Sequence, residues 1–243
     1  MNAAKALKAL LAGLTLLAGT ASLAADLDAL NLLNQTQFRL LSEDLGAALS
    51  YKPLTPAAPL GITGFDVGIA VTGTQLRNTA VFDLATSQGD IPGYLPVPTL
   101  RVHKGLPWDI DVGVMAGMVP GTNVRFYGGE LRYALIAGNA VLPAVAIRGS
   151  LTKLNGVSQL DLDTRGLDIS VSKGLVGFTP YGGLGRVWVS SAPQGVPGLA
   201  SESFGLNKMF VGVNLNVLLV NFAFELDRTG EATSFGVKTG LRF

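Results

Sequence analysis

Hydrophobic and polar residues alternate with a period of two along most of this chain. The pattern is clearest at its end. Thr233, Phe235, Val237, Thr239, Leu241 and Phe243 share one parity; Ser234, Gly236, Lys238, Gly240 and Arg242 share the other. Such alternation marks a strand with one apolar and one wet face. Residues 233–243 are long enough to cross a bilayer as a tilted strand. The alternation begins at Ile62 and predicts strands over 62–74, 96–104, 108–118, 123–136, 141–153, 159–172, 177–190, 207–217, 220–228 and 233–243. The expectation is an all-β, closed antiparallel transmembrane barrel over 61–243, of about ten strands, with eight to twelve as the range.

The connections sort by length. Counted from Ile62, the even ones are short: Lys104–Trp108, Ala137–Val141, Ser172–Gly177 and Val217–Val220. Two odd ones, Leu76–Leu95 and Ser191–Leu206, are long and carry Pro and Gly. Outer-membrane barrels show this asymmetry, with short periplasmic turns and longer outer loops. Val102-His-Lys-Gly-Leu106 and Val171-Ser-Lys-Gly-Leu175 share a Val-x-Lys-Gly-Leu core at predicted periplasmic turns. Glycine at a positive φ is the expected reason.

The region before Ile62 has a different period. Leu27, Leu30 and Leu33, then Phe38, Leu41, Leu45 and Leu49, recur at helical steps, and Pro53, Pro56 and Pro59 end the pattern. Residues 25–60 therefore read as a helical and irregular segment that cannot join the wall. Its leucines predict a plug in the lumen or a cap on its periplasmic mouth. Ahead of it, Lys5 and Lys8, the apolar run Leu10–Ala18 and Ser22-Leu23-Ala24 read as a signal peptide over 1–24, cleaved after Ala24.

Composition fits a barrel better than a soluble domain. Hydrophobic residues are 48% and charged residues 14%, and the mean hydropathy is +0.41. No stretch forms a membrane helix, yet alternation hides lipid-facing residues among polar ones. Cleavage removes Lys5 and Lys8, leaving 16 basic against 17 acidic residues, a net charge of −1. That balance excludes nucleic acid as the expected partner. With no cysteine there is no disulfide framework, thiolate metal site or cysteine nucleophile.

One face of the strands is apolar: Ile110, Val112 and Val114; Leu131, Tyr133 and Leu135; Val211, Val213 and Leu215; Phe222, Phe224 and Leu226. Trp108, Tyr181, Trp188 and Phe243 are expected at the membrane interfaces, with Phe126 near the outer rim. The other face collects Asp66, Arg101, His103, Asp109, Asp111, Glu130, Arg132, Arg148, Asp161, Asp163, Arg165, Asp168, Glu225, Asp227, Lys238 and Arg242, read as lumen-lining. In 159–172 the parity of Leu160 and Leu162 opposes that of Leu167, Ile169 and Val171. A β-bulge near Thr164–Gly166 is expected to reconcile them. Either the charges are a structural salt-bridge lining or they form a selectivity surface.

Catalytic and metal chemistry find no support. His103 has no serine, cysteine or acid in a recognisable relation to it, and reads as a lumen histidine near Asp109 or Asp111. Asp109/Asp111 and Asp161/Asp163 lack a calcium-loop pattern. Gly182-Gly-Leu-Gly185 lies in a predicted strand without a following helix, so it is no phosphate loop. The expectation is a protein that is not an enzyme, with no cofactor and no metal.

Through Ser22-Leu23-Ala24, the alternating strands from Ile62 and the terminal Phe243, the chain resembles bacterial outer-membrane β-barrel proteins. The resemblance implies a monomer in the Gram-negative outer membrane. Its partners are then membrane lipid and the barrel-assembly machinery, which engages the C-terminal strand at Phe243. It also implies a porin-like channel or passive transporter for small solutes. A second likeness rests on the N-terminal segment and Leu49-Ser-Tyr-Lys-Pro53. It is to outer-membrane transporters of hydrophobic compounds of the long-chain fatty acid type, and implies a plugged transporter. A structural barrel without transport activity is the third alternative.

Overall fold

A computed structural model describes residues 26–86 and 93–243. The signal peptide read over 1–24 lies outside the described residues. Ten antiparallel strands are present among the described residues: β1 (Phe65–Gln75), β2 (Tyr94–Leu106), β3 (Ile110–Met118), β4 (Arg125–Ile136), β5 (Ala144–Asn155), β6 (Leu160–Ser172), β7 (Phe178–Pro193), β8 (Glu202–Val217), β9 (Val220–Thr229) and β10 (Ala232–Arg242). Each pairs with its chain neighbours, and β1 closes on β10 with Val67 opposite Leu241 and Val71 opposite Val237. At the seam Phe65 N–H donates to Phe243 O at 2.7 Å, Phe243 N–H donates to Phe65 O at 3.0 Å, and the two rings stack 5.8 Å apart. Closure satisfies every strand edge, which lipid cannot do. No helix among the described residues is long and apolar enough to cross a bilayer; the crossing elements are strands.

The outward face is aliphatic on strand after strand. Val114, Leu131, Leu151, Leu184 and Val211 are exposed there. Left in water, such a wall would be a large apolar surface, so it is read as lipid-facing. Barrel termini Phe65 and Phe243 lie at the end with the short turns, which we take as periplasmic.

The interior is filled by the chain's own N-terminal part. Leu27 N–H reaches Asn123 Oδ1 at 3.3 Å and Leu30 N–H reaches Gln159 Oε1 at 3.0 Å, both in outer loops. Helix α1 (Gln35–Leu49) follows. Asn34 and Gln37 form a capping box: Asn34 Oδ1 accepts from Gln37 N–H at 3.0 Å, and Gln37 Oε1 from Asn34 N–H at 2.9 Å. The helix ends as Ser50 N–H bonds Gly46 O at 3.1 Å, and Pro53 prevents its renewal. Residues 51–60 then descend without regular structure and enter β1 through Gly61 and Gly64. A short helix α2 (Thr79–Ala85) in the first outer loop packs beside α1.

Several expectations need correction. Strand β8 begins at Glu202, five residues before the predicted 207. The register of β6 runs unbroken through Thr164, Arg165 and Gly166 against both neighbours, so the expected bulge is absent; the irregularity among these pairs falls at Ala134/Ile136. Leu160 and Leu162 point inward because the outer half of the lumen is apolar. There Phe38, Leu41 and Leu45 of α1 join Phe126, Leu154, Val187 and Val189 in one buried cluster. Phe126 is therefore a core residue and not a rim aromatic. Gly105 lies within β2, and a Cβ there would meet Gly61 O at 1.9 Å. Close backbone approach, not a positive φ, explains that glycine.

Candidate functional site: the occupied lumen

The periplasmic half of the lumen is charged. Its wall buries six carboxylates (Asp66, Asp111, Glu130, Asp168, Glu225, Asp227) and five cations (Arg101, Arg132, Arg148, Lys208, Lys238), and Lys52 of the threaded segment supplies the sixth cation. Balanced charge of this kind sets no selectivity sign. What it does is visible bond by bond. An irregular segment leaves backbone N–H and C=O groups free, and buried ones must find partners. Here the wall's side chains are those partners.

Lys52 Nζ donates to Asp227 Oδ1 at 2.6 Å and to Ala47 O at 2.9 Å. Arg101 donates to Lys52 O at 2.7 Å, and Lys208 donates to Tyr51 O. Glu225 Oε2 accepts from Leu54 N–H at 2.7 Å and from Tyr181 Oη at 3.0 Å. Arg132 donates to Thr55 Oγ1 at 3.0 Å, to Pro56 O and to Asp111. Ser172 Oγ accepts from Ala57 N–H at 3.1 Å, and Asp111 from Leu60 N–H at 3.0 Å. Leu54 is held at φ 52°, a left-handed conformation uncommon for leucine. Its surroundings over-determine it: the N–H is fixed by Glu225, and the side chain is buried with Ala70 and Ala223.

Higher up, Ser42 Oγ and Ser191 Oγ lie 2.8 Å apart. Asp44 caps the link between α1 and the first outer loop, accepting from Arg77 and Asn78 N–H at 2.9 and 2.8 Å. Burial pushes its carboxyl above the usual range, opposed by those N–H donors. At the helix start Arg39 pairs Glu43 at 2.8 Å and Glu202 at 3.1 Å.

Asp66, Arg101, His103, Asp111, Glu130, Arg132, Arg148, Asp168, Glu225, Asp227 and Lys238 are buried in the interior, and Arg242 is part-buried on Asp66. Four expected lumen residues are elsewhere. Asp109 is exposed in the β2–β3 turn, where Trp108 and Asp109 have φ 61° and 57°. These two residues lie in the three-residue connection 107–109 between the paired Leu106 and Ile110, at the end of the barrel. Asp161, Asp163 and Arg165 face outward on β6, since no bulge reverses its parity. Tyr181, expected at an interface, is 3% exposed inside the barrel. Trp108, Trp188 and Phe243 are exposed. His103 meets Tyr51 Oη through Nε2 at 3.1 Å, with Glu130 at 3.5 Å, rather than Asp109 or Asp111.

Tyr51, Lys52 and Lys208 escaped the reading of the sequence. Lys208 had a usable signal: it shares parity with Asn214, opposite Val211 and Val213. Tyr51 and Lys52 gave none, because nothing local aims a residue of an irregular segment. A test of the packing follows. With no native cysteine, a Leu45→Cys variant of the folded barrel should react with a water-soluble maleimide at least about a hundredfold more slowly than when unfolded. Equal rates would show that α1 does not occupy the lumen.

No protein-family model matches this chain, and no curated protein does. Solved structures of similar shape are outer-membrane β-barrels. The N-terminal β-barrel domain of Pseudomonas aeruginosa OprF is 13% identical, with 75% of this chain and 99% of that one covered and a TM-score of 0.39. The KdgM porin in complex with disordered oligogalacturonate is 7% identical, with 73% and 99% covered and a TM-score of 0.40. The translocator domain of the autotransporter NalP from Neisseria meningitidis is 12% identical, with 84% and 94% covered and a TM-score of 0.40. These likenesses concern the fold alone. The closed ten-strand wall, aliphatic outside and charged inside, is that of an outer-membrane β-barrel.

Proposed function

We propose that this protein is a porin-like passive transporter, closed at rest, in which small polar solutes pass when the segment 35–60 shifts within the lumen. One observation carries the reading. The polar contacts that hold residues 51–60 are mostly hydrogen bonds and ion pairs with wall side chains. Water and polar solutes can replace such contacts one at a time, at small net cost.

A second reading has its own support. The outer half of the lumen is apolar around α1, which suits a transporter of hydrophobic compounds. One experiment addresses both. Ser42 and Ser191 face each other across the plug–wall contact, so a Ser42→Cys/Ser191→Cys variant can be locked by oxidation. In planar bilayers the reduced protein should show channel events and the oxidised protein none. Silence at all voltages in both forms would sink the polar-solute reading. Uptake of a fluorescent fatty acid that is blocked by the same lock would then favour the second.

A further inference from the structure

The outward face carries an uneven belt of charge. At the first outward position above the aliphatic band stand Arg125 on β4, Lys153 on β5, Arg165 on β6, Arg186 on β7 and Arg228 on β9, with Asn207 filling the place on β8. Directly below lie Leu151, Leu167, Leu184, Met209 and Leu226, all about half exposed or more. The corresponding outward positions on β10, β1, β2 and β3 include Thr233, Gly73, Pro96 and Met118 and carry no charge. The belt is therefore an arc on one side of the barrel.

Cations on a lipid-facing wall are unfavourable at the bilayer centre and tolerated at headgroup level. That fixes the depth of the arc but not its sign. The carboxylates nearby engage it only through exposed pairs, which contribute little. Asp163 lies 3.9 Å from Arg165, and Glu231 pairs Arg228 at 2.8 Å. Asp161 accepts from Gln194 at 3.0 Å. Asp163 also stands opposite Lys153 in register, and among the described residues Arg125 and Arg186 show no ion pair. The exposed pairs of Arg165 and Arg228 can exchange their carboxylates for an outside anion, and Arg186, directly above Leu184, has none to give up.

Beneath the arc is a groove of about 780 Å³, whose lining includes Val171, Gly182, Leu184, Met209, Val211 and Arg228. Its cause is local. Gly182 sits between Val171 and Val211 in register, and its missing side chain leaves a trough between two aliphatic ridges. The trough is apolar and ends at a guanidinium. That is the shape of an acyl chain leading up to a phosphate.

We propose that this face binds a phosphorylated glycolipid of the outer leaflet, a lipid A molecule. One acyl chain lies over Gly182 and the phosphates are held by Arg228, Arg186 and Arg165. Guanidinium groups suit this task because their planar fork matches a phosphate in two-point contact. The inference depends on the outer-leaflet depth of the arc and not on transport, so a barrel that conducts nothing can still satisfy it.

Trp188 supplies the probe. It faces outward opposite Arg165 in register, and a Trp108→Phe change leaves it the sole tryptophan. Bisphosphorylated lipid A, its dephosphorylated form and phosphatidylglycerol are each titrated into the folded protein in neutral detergent, with native mass spectrometry to count bound lipid. Saturable emission change and one retained lipid A are expected. Arg165→Gln/Arg186→Gln/Arg228→Gln should weaken this about tenfold or more while heat-modifiability on gels stays unchanged. Equal binding by the triple variant or by the dephosphorylated lipid overturns the proposal. Equal binding of phosphatidylglycerol does too, since any anionic lipid would then serve. A lipid-independent dimer would assign the groove to a second copy of this chain instead.

Discussion

Replacing Gly46 by leucine should turn a mostly silent barrel into a conducting one. Gly46 lies on the face of α1 that touches β7. A Cβ built there meets Val189 Cγ2 at 2.6 Å and Cγ1 at 2.8 Å. Valine is branched at Cβ and has little rotamer freedom with which to retreat. The wall strand cannot retreat either, because Val189 is paired with Thr164 on one side and Phe204 on the other. The helix must therefore yield. Overpacking of this kind costs about 1–3 kcal/mol, and each 1.4 kcal/mol shifts a two-state ratio about tenfold. The fraction of open barrels in planar bilayers should rise by about ten- to a hundredfold. A maleimide probe at Leu45 should become reactive in parallel. The pair Gly46→Ala/Val189→Ala removes the two clashing methyl groups and should stay closed. Were Gly46→Leu as silent as the parent, the seat of α1 would not control access.

The wall was legible and the filling was not, for a physical reason. Alternation is a local property. Strand β10 declares both faces in eleven residues, and β9 does so in ten. What alternation does not say is which face is inside. Assigning the polar face to the lumen works only where the lumen is polar. In the periplasmic half it is, and Asp66, Arg101 and Glu225 are buried there. In the outer half α1 makes it apolar, so Leu160 and Leu162 turn inward and Asp161, Asp163 and Arg165 turn out. The same helix puts Phe126 inside. Tyr181 differs again: its hydroxyl is drawn to Glu225, 44 positions away. Contacts such as Lys52 to Asp227 span 175 positions, and no local rule in sequence reaches so far. The helical period of Leu41, Leu45 and Leu49 did announce an element unfit for the wall.

The largest loss of stability should come from Asp66→Asn. Asp66 is fully buried on β1, at the seam where the barrel closes. Its Oδ2 accepts from Lys238 Nζ at 2.6 Å and from Arg242 Nε at 2.8 Å, both on β10. One carboxylate thus serves two cations across the closing strand pair. Asparagine keeps the volume and one acceptor but removes the charge. It leaves the Lys238 ammonium buried with no anion beside it, and breaking such a pair from one side costs about 3–5 kcal/mol. A surface pair would lose far less, about 0–1 kcal/mol, so the size of the effect reports burial as well as charge. Urea unfolding in detergent, followed by the gel shift between folded and unfolded forms, should show a markedly lower midpoint. Adding Lys238→Met should recover most of the loss, because a buried pair replaced by apolar atoms of similar volume is often neutral. Arg242 remains part-exposed at the mouth and can be solvated there. A midpoint unchanged by Asp66→Asn, or a double variant no better than the single, would mean that the β1–β10 seam is held by its backbone ladder and not by this ion triad.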